Sequence, residues 1–244
     1  MLSEKRVPDK QSNNGKSLLQ AIGKSFYDSI GDIVFGMEDG TVSIFGLVFG
    51  VASSTTSSSV VLLAGATGAI SAAVSMMAGT YLDVESTNDQ AKAQLAQEQK
   101  EIDHDPEGEK QEVRNRLQAA GFNDQDTATI VEVLARYPKT LLKVEAVAEL
   151  HLGSTEQKNP FVQSAWMFIS DLFAACVPVI PFAFLALAPA RIVSLFITAA
   201  LLLLLGVGRG FVGHRNVVLT ALETLGIAAA AALAGFVIGR LVTR

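Results

Sequence analysis

The sequence holds one cysteine, one tryptophan, three tyrosines and three histidines in 244 residues. A lone Cys176 excludes a disulfide within the chain and a cysteine-based metal cluster. Set in an apolar run, it reads as a small buried apolar residue. No nucleophile–base pair, phosphate-cradling glycine loop or histidine-based catalytic metal motif is present, so no enzyme is expected and no catalytic cofactor. Charged residues make up only 18% of the chain and the net charge is −5, which does not suit a nucleic-acid partner. Residues 1–25 are polar and basic and lack an apolar stretch of about 7–15 residues, so no signal peptide is expected. Strand-like alternation of apolar and polar residues is missing throughout.

What the chain has instead is apolar sequence: 50% of residues are hydrophobic, gathered in runs near 20 residues long. Such runs span a hydrocarbon layer of about 30 Å. Two lie between Phe35 and Leu82, either side of the uncharged turn 51–59, and three more cover about 161–186, 190–208 and 216–239. The expected fold class is all-α: a polytopic membrane protein with five transmembrane helices. Pro178 and Pro181 predict a kink in the third span. Gly36/Gly40, Gly46/Gly50 and Gly235/Gly239 form GxxxG pairs, which let a second backbone approach closely. Those of the first span are expected to serve packing between the first two spans.

Between the second and third spans the composition reverses. Residues 84–160 hold 15 acids and 9 bases, net −6, while the rest of the chain is net +1. Helices are predicted over 84–103, 107–120, 124–136 and 138–152, broken at His104-Asp105-Pro106 and capped around Asn123. The domain organisation is therefore a basic tail (1–24), spans 1–2 (25–83), an acidic helical insert (84–160) and spans 3–5 (161–244). Counted over tail and loops, seven bases (Lys5, Arg6, Lys10, Lys16, Lys24, Arg209, Arg215) lie on the N-terminal side of the membrane. Three (Arg191, Arg240, Arg244) lie on the other. The positive-inside rule then puts the N-terminus and the insert in the cytoplasm.

Two sets of residues carry chemistry. In the first span Glu38 and Asp39 lie in sequence otherwise fit for lipid, where a central acid costs about 2.5–3.5 kcal/mol. Asp28, Asp32 and Asp39 share one helical face. In the insert, Glu98/Glu101 and Glu109/Glu112 are ExxE pairs, and Glu145/Glu149 are spaced by four, each pair on one face of its helix. If the three faces converge, six carboxylates require a cation, and oxygen donors favour Mg, Ca, Mn and Fe(II). ExxE pairs also occur on solvated helices. His104 reads as a ligand or a hydrated turn residue, Asp171 as interfacial, and Glu223 as the partner of an arginine within the protein. Met76 alone reads as packing or as a soft ligand.

The combination is more specific than its parts. Glu38-Asp39-Gly40 in the first span, Gly68-Ala69-Ile70-Ser71 and Ser75-Met76-Met77-Ala78-Gly79-Thr80-Tyr81-Leu82 in the second, an acidic helical insert and three further spans resemble the vacuolar iron transporter family. The resemblance implies that Asp39 and Met76 line a metal path. It also implies that Glu98, Glu101, Glu109, Glu112, Glu145 and Glu149 form a cytoplasmic metal-binding module. The chain departs from the family at two positions: Glu145 stands where the family has methionine, and Gly68 where it often has glutamate. A glycine offers no side chain to ligate metal or carry a proton, which leaves Asp28, Asp32 and Glu38 as replacements. The implied function is export of Fe(II) or Mn(II) from the cytoplasm in exchange for protons. The implied protein is a homodimer in a prokaryotic inner membrane or a vacuolar membrane, its path between the first two spans. The alternative is a membrane-anchored divalent-metal buffer or sensor that transports nothing.

Overall fold

The computed structural model describes residues 22–148 and 158–242; of 145–148 it describes the backbone alone. The described residues are helical with no strand, and five of their helices are long and apolar enough to cross a membrane, as expected. We number them α1 (Ile30–Ser54), α2 (Ser58–His104), α3 (Pro106–Ala119), α4 (Asp124–Ala135), α5 (Pro138–Ala148), α6 (Pro160–Val179), α7 (Pro181–Phe184), α8 (Leu187–Val212) and α9 (Val217–Val242). The five candidate spans are α1, α2, α6, α8 and α9. The chain divides into two compact units, one of residues 1–81 and 160–244, the other of 82–159.

In the first unit α1 is the central helix, packed on α6, α8 and α9. Its glycines explain this. Gly46 and Gly50 lie against Ala231, Gly235 and Gly239 of α9, and a Cβ on Gly50 would stand 2.9 Å from the Gly235 carbonyl oxygen. Gly36 and Gly40 lie against Met167, Ser170 and Asp171 of α6. The GxxxG pairs of α1 therefore seat α9 and α6, not α2. The expectation of first-to-second-span packing through them is corrected, because sequence spacing identifies a smooth face but not the helix that lands on it. Against α2 the contacts are of another kind, with Gly65 meeting Val48 and Val179 and Gly68 meeting Ile44 and Leu47, all through side chains. Ile44, Val48, Ala52, Val61, Ala69, Ala175, Val179, Phe182 and Ala190 make the core of this unit.

The third span is shorter than its apolar run. Pro178 and Pro181 lack the N–H groups that a continuing helix would need. The helix stops at Val179 and a single turn, α7, follows. The Pro178 carbonyl, near the break, accepts a 2.7 Å hydrogen bond from Ser194 Oγ of α8. Ahead of α1, residues 22–28 are helical, and a turn at Ser29 separates them from it. They are tied to α6 where Trp166 Nε1 donates to Ser25 Oγ (2.9 Å) and the Trp166 ring meets Phe26 edge-on.

In the second unit, helix ends follow local chemistry. α2 is 47 residues long, about 70 Å, and stops where Asp105 precedes Pro106. Asp105 then caps α3, its carboxylate accepting from Gly108 N at 2.9 Å. Gly121, with φ of 99°, turns the chain after α3, and Asn123 caps α4 through Asp126 N at 2.8 Å. Ile102, Val113, Val131 and Leu141, one from each of α2, α3, α4 and α5, are at most 5% exposed and form the core. Burial of each contributes about 1.5–3 kcal/mol.

Candidate metal sites

In the membrane unit three consecutive residues of α1 face three ways. Glu38 is buried and turned to α8 and α9. Both its carboxylate oxygens accept from Arg209 Nη1 at 2.9 Å, and Oε1 also accepts from Thr224 Oγ1 at 2.8 Å. Arg209 Nη2 donates to Glu223 Oε2 (3.2 Å), whose Oε1 accepts from Arg215 (3.3 Å). Glu223 thus pairs with arginine within the protein. Arg209 sits in the last turn of α8 with its charge engaged, so it is not the free loop base that the charge count treats it as. Glu38 is likewise committed to structure and is a poor replacement for the carboxylate missing at position 68.

Gly40 faces α6. A Cβ there would collide with the Asp171 carboxylate, so the glycine leaves the space that this side chain fills. Asp171 lies in α6 with no exposed surface, and among the described residues neither of its oxygens has a hydrogen-bond partner.

Between these two lies Asp39, half-buried and within electrostatic reach of Asp171. Among the described residues no ion pair reaches Asp39. Met76 of α2 is also half-buried. α1 and α2 run antiparallel in a register set by Val48 against Gly65 and Ile44 against Gly68. Carried along both helices, that register places Asp39 at the axial level of Ala73 and Met76 within about one turn of that level, though α1 and α2 are not among the closely packed helix pairs. The atoms nearest a Cβ at Gly68 belong to Ile44 and Leu47, an apolar patch. Of the other acids, Asp32 accepts a 2.9 Å hydrogen bond from Gln163 of α6, and Asp28 is exposed.

In the 82–159 unit the ExxE pairs divide. Glu98 and Glu109, the first of each, are 4% and 7% exposed, and each sits one turn before a core residue of its own helix, Ile102 and Val113. Glu101 and Glu112 are exposed and hydrogen-bonded along their own helices, to Gln97 (2.9 Å) and Arg116 (3.4 Å). His104 is exposed. The Glu145 side chain and Glu149 lie outside the described residues. Among those described, no three His, Cys, Asp or Glu residues gather closely enough to hold an ion.

Asp171 is the residue that sequence reasoning under-reads. It lies inside the apolar run of the third span, ahead of the break at Pro178, and that position is its one signal in the sequence. Whether such an acid is interfacial or enclosed depends on which helices cover it. Comparison with known proteins adds an independent finding. The family model described as VIT family matches residues 30–240. A vacuolar iron transporter of Centaurea cyanus is 30% identical over 210 residues, 86% of each chain. Vacuolar iron transporter 2 of Oryza sativa subsp. japonica is 30% identical over 207 residues, 84% of each chain. Vacuolar iron transporter 1 of Eucalyptus grandis is 30% identical over 206 residues, 84% of this chain and 83% of its own.

Proposed function

The chain belongs to the VIT family, and from that premise we propose that it transports divalent metal, Fe(II) or Mn(II), across a membrane and out of the cytoplasm. The observation that carries this reading is Asp39. It sits in a spanning helix with no ion pair among the described residues, while its neighbour Glu38 is held by Arg209 and Thr224. An acid retained at that depth without a structural partner is available for an ion. Met76, at a nearby level of α2, adds a soft sulfur to a hard oxygen, a mixed set that suits borderline Fe(II) better than hard Mn(II).

The 82–159 unit gathers metal in this reading. Its acidic surface raises the local cation concentration, and Glu98, Glu101, Glu109, Glu112, Glu145 and Glu149 are its proposed ligands, which turn to meet the ion when it binds. The N-terminus and this unit face the cytoplasm, two copies of the chain work as a homodimer, and the membrane is vacuolar or a cell inner membrane. Proton exchange resets the path, because protons and metal compete for the same carboxylate.

The test is flux into liposomes holding the purified full chain, under a pH gradient, with Fe(II), Mn(II), Co(II) and Zn(II) compared. Parental protein should move Fe(II) or Mn(II), and Asp39→Ala should lose at least about tenfold in rate, the cost of one ligand. Parental rates in Asp39→Ala would remove Asp39 from the path.

A further inference from the structure

Asp171 is a buried carboxylate that nothing in the described structure satisfies. It is 0% exposed, and neither oxygen accepts a hydrogen bond. Glu38, the other buried acid among the described residues of the first unit, has an arginine and a threonine. No Lys, Arg or His pairs with Asp171 among the described residues. An ionised carboxylate left so costs several kcal/mol, and a second acid nearby adds repulsion. A divalent cation removes both costs at once.

The surroundings are shaped to this end. The carboxylate lies against Gly40 of α1, where any larger residue would displace it, and Gly40 directly follows Asp39 in the chain. Asp39 is half-buried, so the pair has one carboxylate open to an entering ion and one fully enclosed. We infer that Asp171 is a second carboxylate ligand of the ion bound at Asp39, so that the membrane site joins α1 to α6. The inference rests on the transport reading above for Asp39 as a ligand and for the ion being cargo. Two carboxylates balance the charge of a divalent ion, and oxygen donors favour Mn(II) and Fe(II) over softer metals. The site thereby regains in α6 the second intramembrane carboxylate that Gly68 cannot supply from α2.

Full-length protein in detergent, titrated with Mn(II) and melted, reads binding; Mn(II) uptake into liposomes reads transport. Asp171→Asn keeps the shape and removes the charge, and its metal-free melting temperature checks its folding. With Glu101, Glu112, Glu145 and Glu149 changed to Gln in both proteins, so that the 82–159 unit adds no metal-dependent gain, we expect the Asp171 protein to gain melting temperature with Mn(II), Asp171→Asn to lose that gain, and its uptake to fall at least about tenfold. A second variant, Asp171→Cys, exchanges oxygen for sulfur and should shift the metal-dependent gain from Mn(II) toward Cd(II), a change that a purely structural role would not produce. Parental Mn(II) stabilisation in Asp171→Asn, or an unchanged metal order in Asp171→Cys, overturns the inference. Absence of uptake by the parental protein would refute the transport reading instead, and the melting comparison would still decide Asp171.

Discussion

Arg209→Ala is the perturbation whose size the structure defines best. The substitution removes both 2.9 Å hydrogen bonds to Glu38 and the 3.2 Å bond to Glu223. Glu38 is 8% exposed and would keep only Thr224, whereas Glu223 would keep Arg215. Breaking a buried pair by removing one partner costs about 3–5 kcal/mol, because the other charge stays buried. With the Arg209 side chain 32% exposed, the lower end applies, about 3 kcal/mol. Most of that belongs to the stranded glutamate, so Glu38→Gln placed on Arg209→Ala should recover more than half of it. Arg215→Ala is the internal comparison. Its side chain is 53% exposed and its partner's 36%, so a loss below about 1 kcal/mol is expected. Equilibrium unfolding in mixed detergent–SDS micelles measures the parent and all three variants. Equal stability of Arg209→Ala and Arg215→Ala would refute the reasoning, since it would mean that burial of Glu38 has no energetic weight.

Other expected outcomes concern packing. Gly50→Val puts atoms against the Gly235 backbone, which has no side chain to move aside, so the variant should lose several kcal/mol or fail to accumulate as folded protein. Gly79→Ala, with open space at its Cβ, should match the parent in the same expression and melting assay. Val113→Ala empties part of the four-residue core of the 82–159 unit and should cost about 2 kcal/mol, read as faster limited proteolysis within that unit.

The helical class and the five candidate spans were legible because each depends on local sequence. Apolar length sets the spans, and the Pro106 and Pro138 signals mark helix starts that the structure also has. The resemblance pointed to Asp39 and Met76, each half-buried in its own helix. The roles of Glu38 and Asp39 were not separable from sequence, since adjacent acids in one apolar run look alike. Their difference lies in Arg209, 171 residues away, which only the crossing of α8 on α1 brings to 2.9 Å.

By itself, then, the sequence determined what local forces control: which stretches are apolar enough to span, where prolines and caps break the helices, and which faces of α1 are smooth or acidic. Only the tertiary structure decided which helix meets each face. It put α9 on Gly46 and Gly50, α6 on Gly36 and Gly40, the Arg209 charge on Glu38, and the unsatisfied Asp171 carboxylate against Gly40. The physical reason is that backbone approach and charge pairing depend on surfaces far apart in the chain, and a helical period specifies a face without specifying its neighbour.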